Sequence, residues 1–183
     1  MLAEHRPVRA VLACQIRHPE DVSDACPSCG RPLDDHNRHV RFRLPDPVRE
    51  LPDRELTEGA WLSHDDPERS VMMQLPNAGA FVRALLPVHL TDGFAVTFGV
   101  WLAVHPDDLQ HAFRVWWEPS YRDLVLEGRL GNALPRWGLL AAPARALVRD
   151  VEQTPYVSES SDPKLSDVLA REWPHDDVLA GLP

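Results

Sequence analysis

The chain has 183 residues, 44% hydrophobic and 26% charged, with 28 acidic against 19 basic side chains and a net charge of −9. That length predicts one domain, burying roughly 70% of its unfolded surface without disulfide staples, and the composition excludes a wholly disordered chain. The bases are scattered, which argues against a nucleic-acid partner, and no run reaches the roughly 20 apolar residues of a membrane span.

In chain order, residues 1–25 read as an extension with one short strand, Val11-Leu12-Ala13-Cys14-Gln15-Ile16, and with neither the apolar core nor the cleavage site of a signal peptide. Residues 26–60 read as a knuckle and a proline-rich loop, and residues 61–183 as the core of what is one domain overall. Proline is abundant, 18 of 183 residues, so turns and strand edges are expected to outweigh long helices. The centre is the clearest part. Phe81 to Leu90 and Phe94 to Val104 read as two strands joined at Asp92-Gly93, a hairpin turn signal. The return strand is almost continuously apolar, so it is expected to be covered on both faces, with Trp101 buried. Pro106, Asp107 and Asp108 then start a helix whose stripe is Leu109, Ala112, Phe113 and Trp116. Trp117 points about 100° away from Trp116 and is assigned to the surface. Residues 144–159 read as one extended segment. A last helix is capped by Asp162, opens at Pro163 and presents Leu165, Val168, Leu169 and Trp173. The fold class is therefore α+β: an antiparallel sheet with helices packed on it and a small N-terminal segment resembling a zinc knuckle.

The cysteines are Cys14, Cys26 and Cys29. An odd count speaks against a disulfide framework and for a reducing, cytoplasmic compartment. Cys26-Pro27-Ser28-Cys29 is followed by Gly30-Arg31-Pro32, which ends structure instead of opening the helix of a redox motif. Two thiolates on a tight turn followed by glycine suit zinc. Zinc wants four ligands, so His36 is assigned as the third, and His39 or Cys14 as the fourth.

Further candidates come from polar residues in apolar settings. Arg83 lies mid-strand; facing inward it would need a carboxylate, with Asp65 or Asp162 as candidates. Asn132 is read as a turn-holding residue that could also bind a ligand. His64-Asp65-Asp66 reads as a solvated loop, and His175-Asp176-Asp177 as a helix cap.

Five segments, Cys26-x2-Cys29-Gly30, Phe81-Val82-Arg83, Gly99-Val100-Trp101, Gly128-x-Leu130-x-Asn132-x-Leu134-Pro135 and Asp162-Pro163-x-Leu165, carry a resemblance. Over about residues 26–175 the chain resembles a bacterial cytosolic family described only as a domain of unknown function, opening with a C-x-x-C-G knuckle. The resemblance implies no established activity. Members commonly carry a histidine after the knuckle, where this chain has residues 33–35, and an Asp-His-Pro-Leu segment near the C-terminus, where this chain has Asp162-Pro163-Lys164-Leu165.

The functional reading is a non-enzymatic, zinc-binding protein-interaction module. Its partner would be a protein, met through acidic and aromatic surface, with Arg83, Asn132, Asp65 and Trp117 as further binding residues. Acids exceed bases by 7 to 3 in residues 51–100 and by 7 to 2 in residues 151–183, which suits a basic partner face. The alternatives are a small metal-dependent, hydrolase-like enzyme and an immunity or antitoxin-like protein. No catalytic residue is assigned.

Overall fold

The computed structural model describes residues 25–52, 59–66 and 68–182. The strand read at residues 11–16, with Cys14, lies outside them. The apolar central run forms the longest pairing of the molecule. Strands β4 (Gly79–His89) and β5 (Ala95–Val104) run antiparallel in register from Ala80↔Val104 to His89↔Ala95, turning through Thr91–Gly93. Trp101 is completely buried.

These two strands are long enough to take two neighbours each along their outer edges. β5 is met by β1 (His39–Arg41), parallel, and further along by β6 (Val125–Leu130), antiparallel. β4 is met by β3 (Met72–Leu75), which carries the short β2 (Trp61–Leu62), and also by β8 (Tyr156–Glu159). β6, β7 (Pro143–Leu147) and β8 form an antiparallel meander. Its last strand returns to β4 in parallel at Leu85↔Tyr156, with the Leu85 N–H donating to the Pro155 carbonyl at 2.8 Å.

The ring β4–β5–β6–β7–β8 is thereby closed into a five-stranded barrel. This corrects the expected simple antiparallel sheet. Residues 144–159 are two strands joined by a turn, not one, and Val151, 55% exposed, sits in that turn. The meander needs the turn in order to come back to β4.

Alternation does the rest. Even-numbered residues of β4 to β7, among them Ala84, Leu86, Phe98, Val100, Leu130, Ala144 and Ala146, share one cluster with Val157 of β8, as a period of two along each strand requires. The helices α3 (Pro163–Ala170) and α4 (His175–Leu179) add Leu165, Val168, Val178 and Leu179 to it. Asp162 caps α3, accepting from the N–H groups of Lys164 at 2.8 Å and Leu165 at 3.1 Å. Helix α2 (Pro106–Val115) packs Leu109 and Ala112 against Met72, Val82 and Leu126. Its apolar stripe is narrower than expected: Phe113 is 51% exposed and meets Trp61 edge-on at 5.3 Å between centroids.

Residues 26–60 hold more than a knuckle and a loop, since β1 belongs to the sheet and helix α1 (Asp46–Arg49) buries Val48 against Phe81 and Trp101. Asn132 fastens that segment. Its Oδ1 accepts from the Trp101 N–H at 2.9 Å, and its Nδ2 donates to the Leu44 carbonyl at 2.9 Å and to Asp46 Oδ1 at 3.2 Å. Four residues earlier, Gly128 is dictated by space, because a Cβ there would lie 2.6 Å from the Ala103 carbonyl oxygen.

Candidate metal centre

The site begins as a turn. The Gly30 N–H donates to the Cys26 carbonyl at 2.8 Å, and the Cys26 N–H to the Arg31 carbonyl at 2.7 Å. Gly30 takes φ +71°, a left-handed value that side chains other than glycine's resist. A short 3₁₀ turn, Leu33–Asp35, then delivers His36 back over the two cysteines. Helix α4 brings the fourth group from the far end of the chain: His175, its first residue, 3% exposed.

Cys26, Cys29, His36 and His175 converge so that their four candidate ligand atoms lie within 4.8 Å of one another. Cys26 Sγ is 3.3 Å from His175 Nδ1, Cys29 Sγ is 3.4 Å from His36 Nε2, and the two histidine nitrogens are 3.0 Å apart. These four residues lie close enough to hold a metal ion.

The remaining ring nitrogens decide what the centre can be. His36 Nδ1 donates to the Pro32 carbonyl at 3.1 Å, and His175 Nε2 to the Thr91 carbonyl at 2.7 Å. Each neutral imidazole has one N–H, so both are committed outward. His36 Nε2 and His175 Nδ1 therefore turn lone pairs toward each other at 3.0 Å. Two facing lone pairs repel unless a cation lies among them. Backbone carbonyls behind the far nitrogens are the usual support for ligating histidines. The donor set therefore fits a metal.

The electrostatics favour the thiolate form at Cys26 and the thiol form at Cys29. Burial opposes ionisation of Cys26. The backbone N–H groups of Ser28 and Cys29, with Cys29 and His175, outweigh it and lower the thiol to about 6. Burial, together with the nearby Cys26 and Asp176 charges, pushes Cys29 above its ordinary value. At His175 burial works against the charged form, but the Thr91 carbonyl, Cys26 and Asp92 prevail and raise its pKa.

Around the centre the knuckle is tied to both of its neighbours. The Ser28 hydroxyl donates to Asp92 Oδ2 at 2.6 Å, in the β4–β5 turn, and Arg31 pairs with Asp176 of α4 at 3.1 Å. Phe94 lies against both imidazoles.

Of the assigned ligands, the structure brings Cys26, Cys29 and His36 together. His39 stands apart at the start of β1, exposed and paired in register with Thr97, because the strand turns its side chain away from the knuckle. Cys14 lies outside the described residues. The pattern His175-Asp176-Asp177 predicts a cap, but Pro174 holds the N-cap position and the His175 imidazole joins the cluster. Its 149-residue separation from Cys26 leaves no spacing signal; only a histidine opening an apolar final helix marks it.

The other candidates disperse. Arg83 does face inward, 3% exposed, yet neither Asp65 nor Asp162 partners it: Asp65 is in an exposed loop and Asp162 caps α3. Its Nε donates to the Ser70 carbonyl at 2.8 Å and its terminal nitrogens to those of Phe42 at 2.8 Å and Arg43 at 3.1 Å. Its guanidinium lies 4.1 Å from the centroid of Trp101. Asn132 is fully buried, with Oδ1 and both Nδ2 hydrogens engaged internally. Trp117 is 87% exposed. None of these four supplies a ligand atom to the cluster. No described helix is long and apolar enough to cross a membrane.

No curated protein and no solved structure matches the chain. A family model does match, over residues 25–174, from the residue before Cys26 to the residue before His175. The chain belongs to the bacterial family described as an uncharacterized protein conserved in bacteria (DUF2199).

Proposed function

We propose that the protein is a zinc-stapled interaction module and not an enzyme. Two thiolates with two imidazoles are the donor set of structural zinc, and four protein ligands leave no position for a reacting water. The convergence of four protein donors is the observation that supports the non-catalytic reading. The staple's work is to join the N-terminal knuckle, the β4–β5 turn and α4.

The interaction half rests on one aromatic face. A hollow of about 260 Å³ shares Phe113 with one of about 410 Å³ and Trp116 and Trp117 with one of about 570 Å³. Trp117 is 87% and Phe113 51% exposed. Exposed tryptophan of this kind is the typical anchor of a protein interface. Ser63, His64 and Arg69 line one hollow beside the exposed Asp65 and Asp66, Arg114 lines a second, and Glu118, Arg122 and Glu152 line the third. A partner presenting apolar side chains flanked by charges of both signs matches this surface.

The test is affinity capture from native bacterial lysate with the full chain, alongside elemental analysis of the same preparation. One zinc per chain is expected, with a stoichiometric partner that Trp117→Ala loses while keeping its zinc. Identical captures by both proteins would overturn the interaction reading, and a preparation that refolds without metal and binds none would overturn the staple.

A further inference from the structure

We propose that the hollow between β1, β4 and β5 is a binding site for a small oxyanion, a phosphate group or a carboxylate, gripped by Arg41 and Arg83. The register places the two arginines together. Arg41 of β1 pairs with Gly99 of β5, and Gly99 pairs with Leu85 of β4. Directly paired residues point to the same face, and Arg83, two residues before Leu85, points there too. Gly99 leaves the space between them open: a Cβ on it would come within 3.4 Å of the Arg41 stem.

The hollow holds about 260 Å³. His39, Arg41, Arg83, Gln153 and Thr154 are its polar lining, and no acidic side chain lines it. Arg83 is nearly inaccessible and has no carboxylate within ion-pair distance among the described residues; neither has Arg41. Its three carbonyl acceptors occupy three of five N–H donors. Carbonyls satisfy hydrogen bonds without neutralising charge, and an uncompensated buried charge is costly. Burial and the nearby Arg41 both work against the charged form of Arg83, lowering its pKa to about 9. An oxyanion would relieve both, and guanidinium forks match the oxygens of phosphate and carboxylate. The volume falls below the roughly 300–1,000 Å³ of drug-sized pockets, so the ligand is a single anionic group with little attached.

The test titrates the full, metal-loaded chain with sodium phosphate and, separately, sodium acetate, holding ionic strength constant with sodium chloride. Calorimetry and the melting temperature are the readouts. Saturable binding of one anion per chain is expected for at least one salt, and the stronger salt identifies the oxyanion class. Arg41→Gln, on an exposed side chain, should weaken it about tenfold or more and leave the ligand-free melting temperature unchanged. Arg83→Lys should also weaken binding; should that variant fail to fold, Arg41→Gln decides alone. No saturable binding of either salt beyond chloride, or unchanged affinity in Arg41→Gln, would overturn the proposal.

Discussion

Trp101 and His175 are both buried, and for opposite reasons. Trp101 sits in the hairpin of the barrel, where Phe81, Met73, Leu75 and Val48 surround it. Its burial is one contribution among many of the same kind, each a few kcal/mol of apolar area removed from water. His175 sits in the clasp, where four side chains meet and little apolar surface is gained around the ligand atoms. The barrel is redundant: each strand has neighbours that hold it if one contact is lost. With a metal bound, the clasp would be all-or-none, because losing one ligand would leave the other three unsatisfied. A single chain thus carries a distributed core and a point fastening, and the two should fail differently.

The largest effect is expected in the distributed part. Trp101→Ala removes a fully buried indole and should cost about 3–5 kcal/mol. It also takes away the ring beneath Arg83 and the Nε1–H donor to the Arg43 carbonyl. The denaturant midpoint should fall with the slope unchanged. An unmoved midpoint would remove the contrast between the two regions at its strongest point.

Metal removal should act locally and more weakly. With free metal at a hundred times its dissociation constant, binding contributes about 2.7 kcal/mol of stability, which a chelator should abolish. Hydrogen exchange should then quicken in the knuckle and in α4, while β4 and β5 stay protected. Loss of barrel protection at the same rate would show that the clasp is part of one cooperative unit. Cys26→Ser and His175→Ala should each reproduce the chelated state, and His39→Ala should not.

Acid sharpens the same comparison. A metal must displace the protons its ligands carry. Cys29, raised above its ordinary value, holds a proton that binding releases. Cys26, lowered to about 6, gives up almost none at pH 7. Affinity should therefore fall as pH falls, about tenfold per unit for each proton displaced, and more steeply below about 6, where Cys26 takes up its own proton. Calorimetry in buffers of different ionisation enthalpy counts these protons. A slope that does not steepen below 6 would show that Cys26 is not held as a thiolate.

The two regions also differ in how far the sequence discloses them. The β4–β5 hairpin is legible because its information is local: Asp92-Gly93 between apolar runs fixes turn and register together. Helices α2 and α3 are legible from Pro106 and from Asp162-Pro163 for the same reason. Barrel closure is not, since it depends on the single pairing Leu85↔Tyr156 between strands about 70 residues apart. The knuckle's half of the clasp shows in Cys26, Cys29 and His36, which are close in sequence. His175 cannot be found that way, because only the packing of α4 against the barrel carries it to the thiols. Arg83 shows the limit from another side. The carbonyls of Phe42, Arg43 and Ser70 that receive it come from loops with no pattern of their own.

The smallest expected effect on stability comes from Trp117, and its value lies in that smallness. The side chain is 87% exposed at the end of α2, so Trp117→Ala should change stability by no more than about 0.5 kcal/mol. A tryptophan that stabilises nothing in the free chain remains exposed in water only where something outside the chain covers it, or where it is idle. The variant separates these. As an interface anchor it should lose 2 kcal/mol or more of partner affinity, about 30-fold, with zinc content and melting temperature unchanged. Phe113→Ala should lose less, since half of that ring already rests against Trp61 and the barrel. If Trp117→Ala instead lowered the melting temperature by several degrees, the indole would belong to the core with Trp101, and the aromatic face would be part of the barrel's own packing.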